Sequence, residues 1–411
     1  MKKINNYDYK ILLNKKKYRY HLLENALDKS DLDEGIKVIR SGFITMNKYT
    51  SIFEKKFAKK LKAKYALMVN SGSSANLLAT FASCNPWRKN RFKKGDQAII
   101  QSLCWSTSLW PLVQAGLKIK FVDVNPKTLN VDVEELISKV NSKTKVIVII
   151  NVLGLSGNLL KLKKFCEKKK IILIEDNCES LGAKFKNKNL GTFGDFGTFS
   201  FFYSHQITSG EGGMVVCKNI EDYKILKSLR SHGWVRDIEI SKKFPNLDPR
   251  YIFVNSGFNL RPTDIQAAIG LSQFNRLEIF KKNRHYNRLK IIESLKKDKR
   301  WNNQFYFLDV PKNIKPSYMV FPIFLNSNLK HKKKRFINTI EKNGLQTRPV
   351  ISGSFVNQPA TKLYALNEKK QKFKGANTIE QLGFVIGLHT KKITHKQIDF
   401  IKNSLFLIDK I

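Results

Sequence analysis

The sequence predicts an α/β fold, a mostly parallel sheet between helices followed by a smaller C-terminal α/β domain. Two observations carry this. Between residues 65 and 203, short apolar runs rich in β-branched and aromatic residues alternate with stretches of helical periodicity, as in sheets whose parallel strands are joined by covering helices. Near residue 275 the character shifts to long Lys/Arg-rich helical segments, which divides a large domain, 1–275, from a small one, 276–411. With 411 residues, 42% hydrophobic and 11% aromatic, the chain can bury cores of that size, which excludes disordered and collagenous classes.

The N-terminal MKKINNYDYKILLNKKKYRYH is basic, and its apolar trio Ile11 to Leu13 is too short for the apolar core of a secretion signal. A helix is expected after Ser30-Asp31, either of which can cap it, with Ile36, Val38 and Ile39 among its apolar positions and an end at Ser41-Gly42. A second, from about Ser51 to Leu61, places Phe53, Phe57 and Leu61 four apart on one face. YALMVN reads as a strand that stops at Ser71-Gly72-Ser73-Ser74 and leads into the helical ANLLATFAS. Strand, Gly/Ser turn and helix in that order present free N–H groups and a helix dipole to an anion. The runs QAIIQS, KIKFVDV, KVIVIINVL, KIILIEDN and FGTFSFFY supply further strands, with helices around Asp132 to Val140 and Leu159 to Lys169 between them. Beyond residue 275 come the strand-like YMVFPIFL, a helix near Lys333 to Asn343 and a closing helix from His395 to Ile408.

Seventy-five Lys and Arg against 33 Asp and Glu give a net charge of +42, a balance also seen in nucleic-acid binders. Yet the clusters Lys15 to Lys17, Lys168 to Lys170 and Lys332 to Lys334 each read as the polar side of a helix or loop. A solvated surface is therefore expected, and nucleic acid is not an expected partner. No apolar run approaches the ~20 residues of a membrane span, so no membrane partner is expected and the chain is expected to be cytoplasmic. The five cysteines, Cys84, Cys104, Cys166, Cys178 and Cys217, form no C-x-x-C or C-x-C pair, so neither a disulfide framework nor a thiolate metal site is expected.

Residues that can carry chemistry fall in six strings: Ser71-Gly72-Ser73-Ser74-Ala75-Asn76, Trp105-Ser106-Thr107, the octet Glu175 to Gly182, the hexad Ser200 to His205, Gly210-Glu211-Gly212-Gly213, and the octet Gly257 to Asp264. Ser73 and Ser74 can offer donors to a phosphate, or simply cap the helix. Asp176 follows the strand IILIE, at a carboxyl end where α/β proteins place ligands, although an Asp there can also cap the next helix. Taken alone, Trp105 would more often be core, and Asn259 is an ordinary turn residue.

Six strings in this order and spacing, over nearly the whole chain, resemble the DegT/StrS family of pyridoxal-phosphate enzymes acting on nucleotide-linked keto sugars. The resemblance implies the fold-type I PLP-dependent transferase-like architecture. It further implies that Ser73, Ser74 and Ser200 contact the cofactor phosphate, that Asp176 pairs with the pyridine nitrogen, and that Trp105 stacks on the ring. Glu179 joins the cofactor-binding set. Asn259 matches a residue that reaches the phosphate of the neighbouring subunit's cofactor, which implies a homodimer with shared active sites.

One position departs from the aminotransferases of the family, whose SFxxxK string ends in a Lys that bonds covalently to the cofactor. Here it ends in His205. An imidazole cannot form that bond, so pyridoxal or pyridoxamine 5'-phosphate would be held non-covalently, and a His with pKa near neutrality can act as the general base. This resembles the sugar 3-dehydratase subgroup and implies removal of the C3 hydroxyl from a nucleotide-linked 4-keto-6-deoxyhexose, with glutamate as amino donor. One kind, acting on CDP-linked sugars, binds an iron–sulfur cluster through cysteines that include closely spaced ones after the catalytic segment. Only Cys217 follows His205, so the cluster-free kind acting on GDP-4-keto-6-deoxymannose is favoured, with no metal. The alternatives are a sugar aminotransferase recruiting another lysine, such as Lys184, Lys186 or Lys188, a CDP-sugar dehydratase, and a catalytically silent regulatory or nucleic-acid-binding homologue. Where the family usually has a Gly, Met46-Asn47-Lys48 has an Asn, which tolerates left-handed backbone and should preserve the turn.

Overall fold

Seven strands form the central sheet: β1 Tyr65–Val69, β2 Gln97–Gln101, β3 Lys118–Val122, β4 Thr144–Ile150, β5 Ile172–Asp176, β6 Phe196–Ser200 and β7 Gly213–Cys217. Their order is β1-β7-β6-β5-β4-β2-β3, and all run parallel except β7, which is antiparallel to both neighbours. The computed structural model describes residues 18–23, 27–235, 242–366 and 373–411; Ile11 to Leu13 and Lys15 to Lys17 lie outside the described residues. Near-continuous apolar runs make β4 and β5 buried along almost their whole length, as strands covered on both faces must be. Strand β7 was not anticipated, because its apolar MVVC follows a glycine-rich stretch that reads as a turn.

Helices α1 Lys29–Arg40 and α2 Lys48–Leu61 precede the sheet. The predicted face of α2 holds: Phe53, Phe57 and Leu61 are buried, the two rings packing on Phe199, Phe201 and Phe274. For α1 the cap is Asp28 rather than Ser30 or Asp31. Asp28 accepts from the Asp31 N–H while the Asp31 side chain accepts from the Asp28 N–H, a reciprocal capping box. Its buried face is Asp31, Gly35 and Val38, so Ile36 and Ile39 face outward, contrary to the apolar pattern. Asn47 does not adopt the left-handed backbone expected of it; its φ is −157°. That turn is held instead by Asp264, whose carboxylate accepts from the N–H groups of Asn47, Tyr49 and Thr50 at 2.8–3.0 Å.

Covering helices follow: α3 Gly72–Ser83, α4 Ser106–Gln114, α5 Val133–Ser138, α6 Leu159–Lys169, α7 Ile220–Arg230, α8 Asp264–Asn275 and the 20-residue α9 Leu277–Lys296. A second, antiparallel sheet is ordered β8-β9-β10, from β8 Phe305–Tyr306, β9 Val320–Leu325 and β10 Gly383–Gly387. Its helices are α10 Lys333–Lys342, α11 Lys374–Leu382 and α12 His395–Leu405, the chain closing in a 3₁₀ turn over Phe406–Lys410 where a longer helix was expected. Lys333 leaves the solvated cluster predicted for it: its Nζ donates to the carbonyls of Glu380 and Gly383 at 2.6 and 2.7 Å, and burial pushes its ammonium down to about 8.

Residues 18–23 strap the start of the described chain to this second sheet. Tyr20 is buried, stacks on His389, and donates its hydroxyl to the Gly387 carbonyl at 3.2 Å. The Arg19 and Tyr20 N–H groups both donate to Gly344 O, and Gln346 N–H returns to Tyr20 O.

Candidate active site

The carboxyl ends of the parallel strands open on one edge. Register pairs Ile150 with Asp176, Asp176 with Thr198, and both Val69 and Ser200 with Gly213, so the loops after β1, β4, β5 and β6 meet there. Most of the sequence strings lie in those loops.

Asp176 ends β5 and is 3% exposed. Its Oδ2 accepts from Asn76 Nδ2 and Ser108 Oγ, each at 2.7 Å, and its Oδ1 from the Cys178 N–H at 3.0 Å. Asn76 is oriented in turn by Thr198, whose hydroxyl donates to Asn76 Oδ1 at 2.5 Å. Three donors leave about one of a carboxylate's roughly four acceptor positions for a ligand. The preceding Glu175, pointing to the other side of the strand, accepts the Gly191, Phe193 and Gly194 N–H groups at 2.6–2.8 Å and shapes a loop instead.

At the start of α3 the cap is Ser71: its Oγ accepts the Ser74 N–H at 3.0 Å and its hydroxyl donates to Ser74 Oγ at 2.9 Å. This removes the Ser74 N–H from the expected phosphate donors and leaves its hydroxyl. The Ser73 hydroxyl donates to Thr107 Oγ1 at 3.2 Å. Ser200, at the end of β6, lies against Gly72 so closely that a Cβ at position 72 would come within 2.4 Å of Ser200 Cβ. Only a glycine lets α3 begin there, and the arrangement brings Ser73, Ser74 and Ser200 together.

Trp105 precedes α4 and is 56% exposed rather than core, with no aromatic partner among the described residues. The same turn carries Thr107 to Ser73 and Ser108 to Asp176. Burial pushes the Glu179 carboxyl up to about 7; the Leu153 N–H, 3.3 Å away, opposes this and the Asp176 charge adds to it.

His205 lies five residues beyond the end of β6. Its Nδ1 is buried with no hydrogen-bond partner among the described residues. Burial pushes the imidazole down to about 4, below the near-neutral value expected, with Arg284 adding to the effect and the Ser200 backbone and Asp176 opposing it. Arg284, on α9, pins the loop by donating to the carbonyls of His205, Gln206 and Leu388. Asn259 is exposed, without a side-chain partner among the described residues, beside Leu260, whose carbonyl accepts the Asn70 N–H. It is the one predicted site residue not drawn into this cluster. Lys188 sits over the Phe193 ring at 4.7 Å, in the hairpin that also carries Lys184 and Lys186, and none of the three is brought to His205.

Sequence reasoning missed the roles of Asn76, Ser108 and Arg284. A polar Asn inside the apolar ANLLATFAS was the available signal for the first; Arg284 looks like every other cation on a Lys/Arg-rich helix. The residues present fit a phosphorylated pyridine: a hydroxyl-lined helix start closed by Gly72, a carboxylate with a free acceptor position, an exposed indole, and an imidazole nitrogen lacking a partner. Among the described residues no group of His, Cys, Asp or Glu could hold a metal ion.

Residues 25–406 match the DegT/DnrJ/EryC1/StrS aminotransferase family. The chain is 34% identical over 393 residues, 94% of its own length and 99% of the relative's, to GDP-4-keto-6-deoxy-D-mannose 3-dehydratase of Escherichia coli O55:H7. Among solved structures, the E. coli GDP-4-keto-6-deoxy-D-mannose-3-dehydratase with bound hydrated PLP is similar at TM-score 0.85 and 32% identity, over 94% of this chain and 99% of that one. A GDP-4-keto-6-deoxymannose-3-dehydratase with a trapped PLP-glutamate geminal diamine is similar at TM-score 0.83 and 33% identity, over 94% and 100%.

Proposed function

The chain belongs to the DegT/DnrJ/EryC1/StrS aminotransferase family, and from that premise we propose that it is a PLP-dependent 3-dehydratase of GDP-4-keto-6-deoxymannose. The observation that carries the reading is His205, at the end of the SFxxxK-like string, where the amine of a lysine would otherwise stand. When bound, the cofactor supplies an electron-accepting ring and, in its pyridoxamine form, an amine that glutamate can restore.

The chain's own residues do the rest. Asp176, held by Asn76 and Ser108, accepts the pyridine N–H. Ser73, Ser74 and Ser200 donate to the phosphate, Trp105 covers the ring, and Glu179 borders the Asp176 side of the site. His205 is neutral at pH 7, so its imidazole can take a proton as the general base. Among the described residues, the candidate lysines Lys184, Lys186 and Lys188 are not brought to this loop, which favours loss of the C3 oxygen over amino-sugar release.

We also assign a homodimer with shared sites, a large cofactor-binding domain over 1–275, a small domain over 276–411 and a cytoplasmic location, where a nucleotide-linked sugar and glutamate would be available. The dimer finds support in the exposure of Asn259 and in Leu32, Ile36, Ile39, Phe43 and Ile44, a stripe of exposed apolar side chains along α1 and the turn after it.

The test supplies pyridoxamine 5'-phosphate, glutamate and GDP-4-keto-6-deoxymannose to the purified protein. A sugar product lighter by one oxygen, with ammonia released in equal amount, is expected. A stable amino sugar, or a protein–cofactor bond reducible by borohydride, overturns the proposal in favour of a transaminase.

A further inference from the structure

The opposite edge of the central sheet holds a cavity of about 220 Å³ at the amino ends of β5 and β6, where the antiparallel β7 finishes. Ile171, Leu173 and Phe193, all buried, line it alongside Lys163, Lys170 and Lys218. The two carboxylates in its wall are already engaged. Glu167 pairs with Lys163 at 3.0 Å, and Asp195 accepts from Arg88 and from the Leu173 N–H, each at 2.9 Å. Lys218 is half-buried and donates to the Phe193 carbonyl at 2.5 Å, and neither it nor Lys170 forms an ion pair among the described residues. Each ammonium has three donors, so donors remain on both.

Half-burying a cation costs free energy: burial pushes the Lys218 ammonium down, and the charges of Asp195 and Glu175 offset this only in part, with Lys163 and Lys188 opposing them. An anion in the cavity would relieve that penalty. At roughly 30 Å³ per water the volume holds about seven waters, and it falls below the ~300 Å³ of a drug-sized pocket. A phosphate or diphosphate group is the scale that fits, with the apolar wall excluding a large hydrated ion.

We propose that this cavity, on the edge of the sheet away from His205 and Asp176, binds a small phosphate-bearing anion through Lys218 and Lys170. The proposal does not rest on the dehydratase reading. It is tested with inorganic pyrophosphate as probe, titrated calorimetrically into cofactor-loaded protein at constant ionic strength. Wild type is expected to show a site that Lys218→Met weakens by about tenfold or more, the scale of one charge-assisted contact, while Lys218→Arg retains it. Lys170→Met, at an exposed position with little bearing on folding, is expected to weaken the same site. Pyrophosphate held elsewhere, at the catalytic edge included, stays equal in all four proteins and subtracts out. Equal binding to wild type and both Met variants, no binding to wild type, or an equal loss in the surface control Lys164→Met overturns the proposal.

Discussion

His205 is set in a surrounding that holds its imidazole near 4, where an exposed histidine titrates near 6.5. The neutral form is therefore the folded form, and the folded chain binds fewer protons than the unfolded one between those values. Stability from this residue is fully present above about pH 6.5 and is lost as pH falls toward 4, by on the order of 3 kcal/mol. Denaturant titrations of wild type and His205→Gln should show wild type losing stability relative to the variant across that window; parallel curves would count against it. The proposed dehydration uses the same imidazole as its base. His205→Asn should retain the cofactor and its melting temperature while kcat drops by about 10²–10⁴, the range for losing a general base. At the residue scale the strings singled out Asp176, Ser200 and His205, and the fold places Asp176 and Ser200 at the carboxyl ends of their strands with His205 in the loop beyond. Their supporting partners were not legible. Asn76 and Ser108 reach Asp176 from helices 100 and 68 residues away in sequence, and no local pattern encodes such a meeting.

Adjacent positions on β5 divide the labour of one element. Asp176 faces the proposed site, held by Asn76 and Ser108, while Glu175 accepts three backbone N–H groups of the loop leading into β6. Glu175→Ala should orphan those donors and cost about 3 kcal/mol or more, read as a lower denaturant midpoint, because each unsatisfied buried group costs about 1–3 kcal/mol. Gly72→Ala makes a different prediction. The new Cβ would meet Ser200 Cβ at 2.4 Å, and both atoms are anchored to backbone, so α3 or the end of β6 must shift. Cofactor affinity should fall by about tenfold or more, with a smaller effect on unfolding, since the distortion is confined to the carboxyl edge. α2 was legible because its buried positions recur every fourth residue, and β4 because a strand covered on both faces is apolar almost throughout. Strand β7 and the outward face of α1 were not: in the first, glycines mask a short strand, and in the second, Gly35 and Asp31 occupy the packed face while isoleucines face out.

The whole molecule carries its +42 charge with few acidic partners, so surface self-repulsion should weaken as salt rises. Melting temperature is expected to climb between low and ~0.2 M NaCl, where the Debye length falls below about 10 Å; a flat or falling curve would show that the charges are already compensated. The proposed shared-site dimer has its own test at this scale. Mixing His205→Asn and Asn259→Ala subunits, each inactive alone, should restore about a quarter of wild-type activity, because in a symmetric dimer one site of each mixed pair is intact. No restoration would place Asn259 in its own subunit's site.

The strap at Tyr20 sets a schedule on the ribosome. Its partners Gly344, Gln346 and Gly387 are translated more than 300 residues later. At about 5–20 residues per second, the segment waits roughly 15 to 75 seconds before its docking surface exists. The last part of the chain to be made therefore secures the first described part.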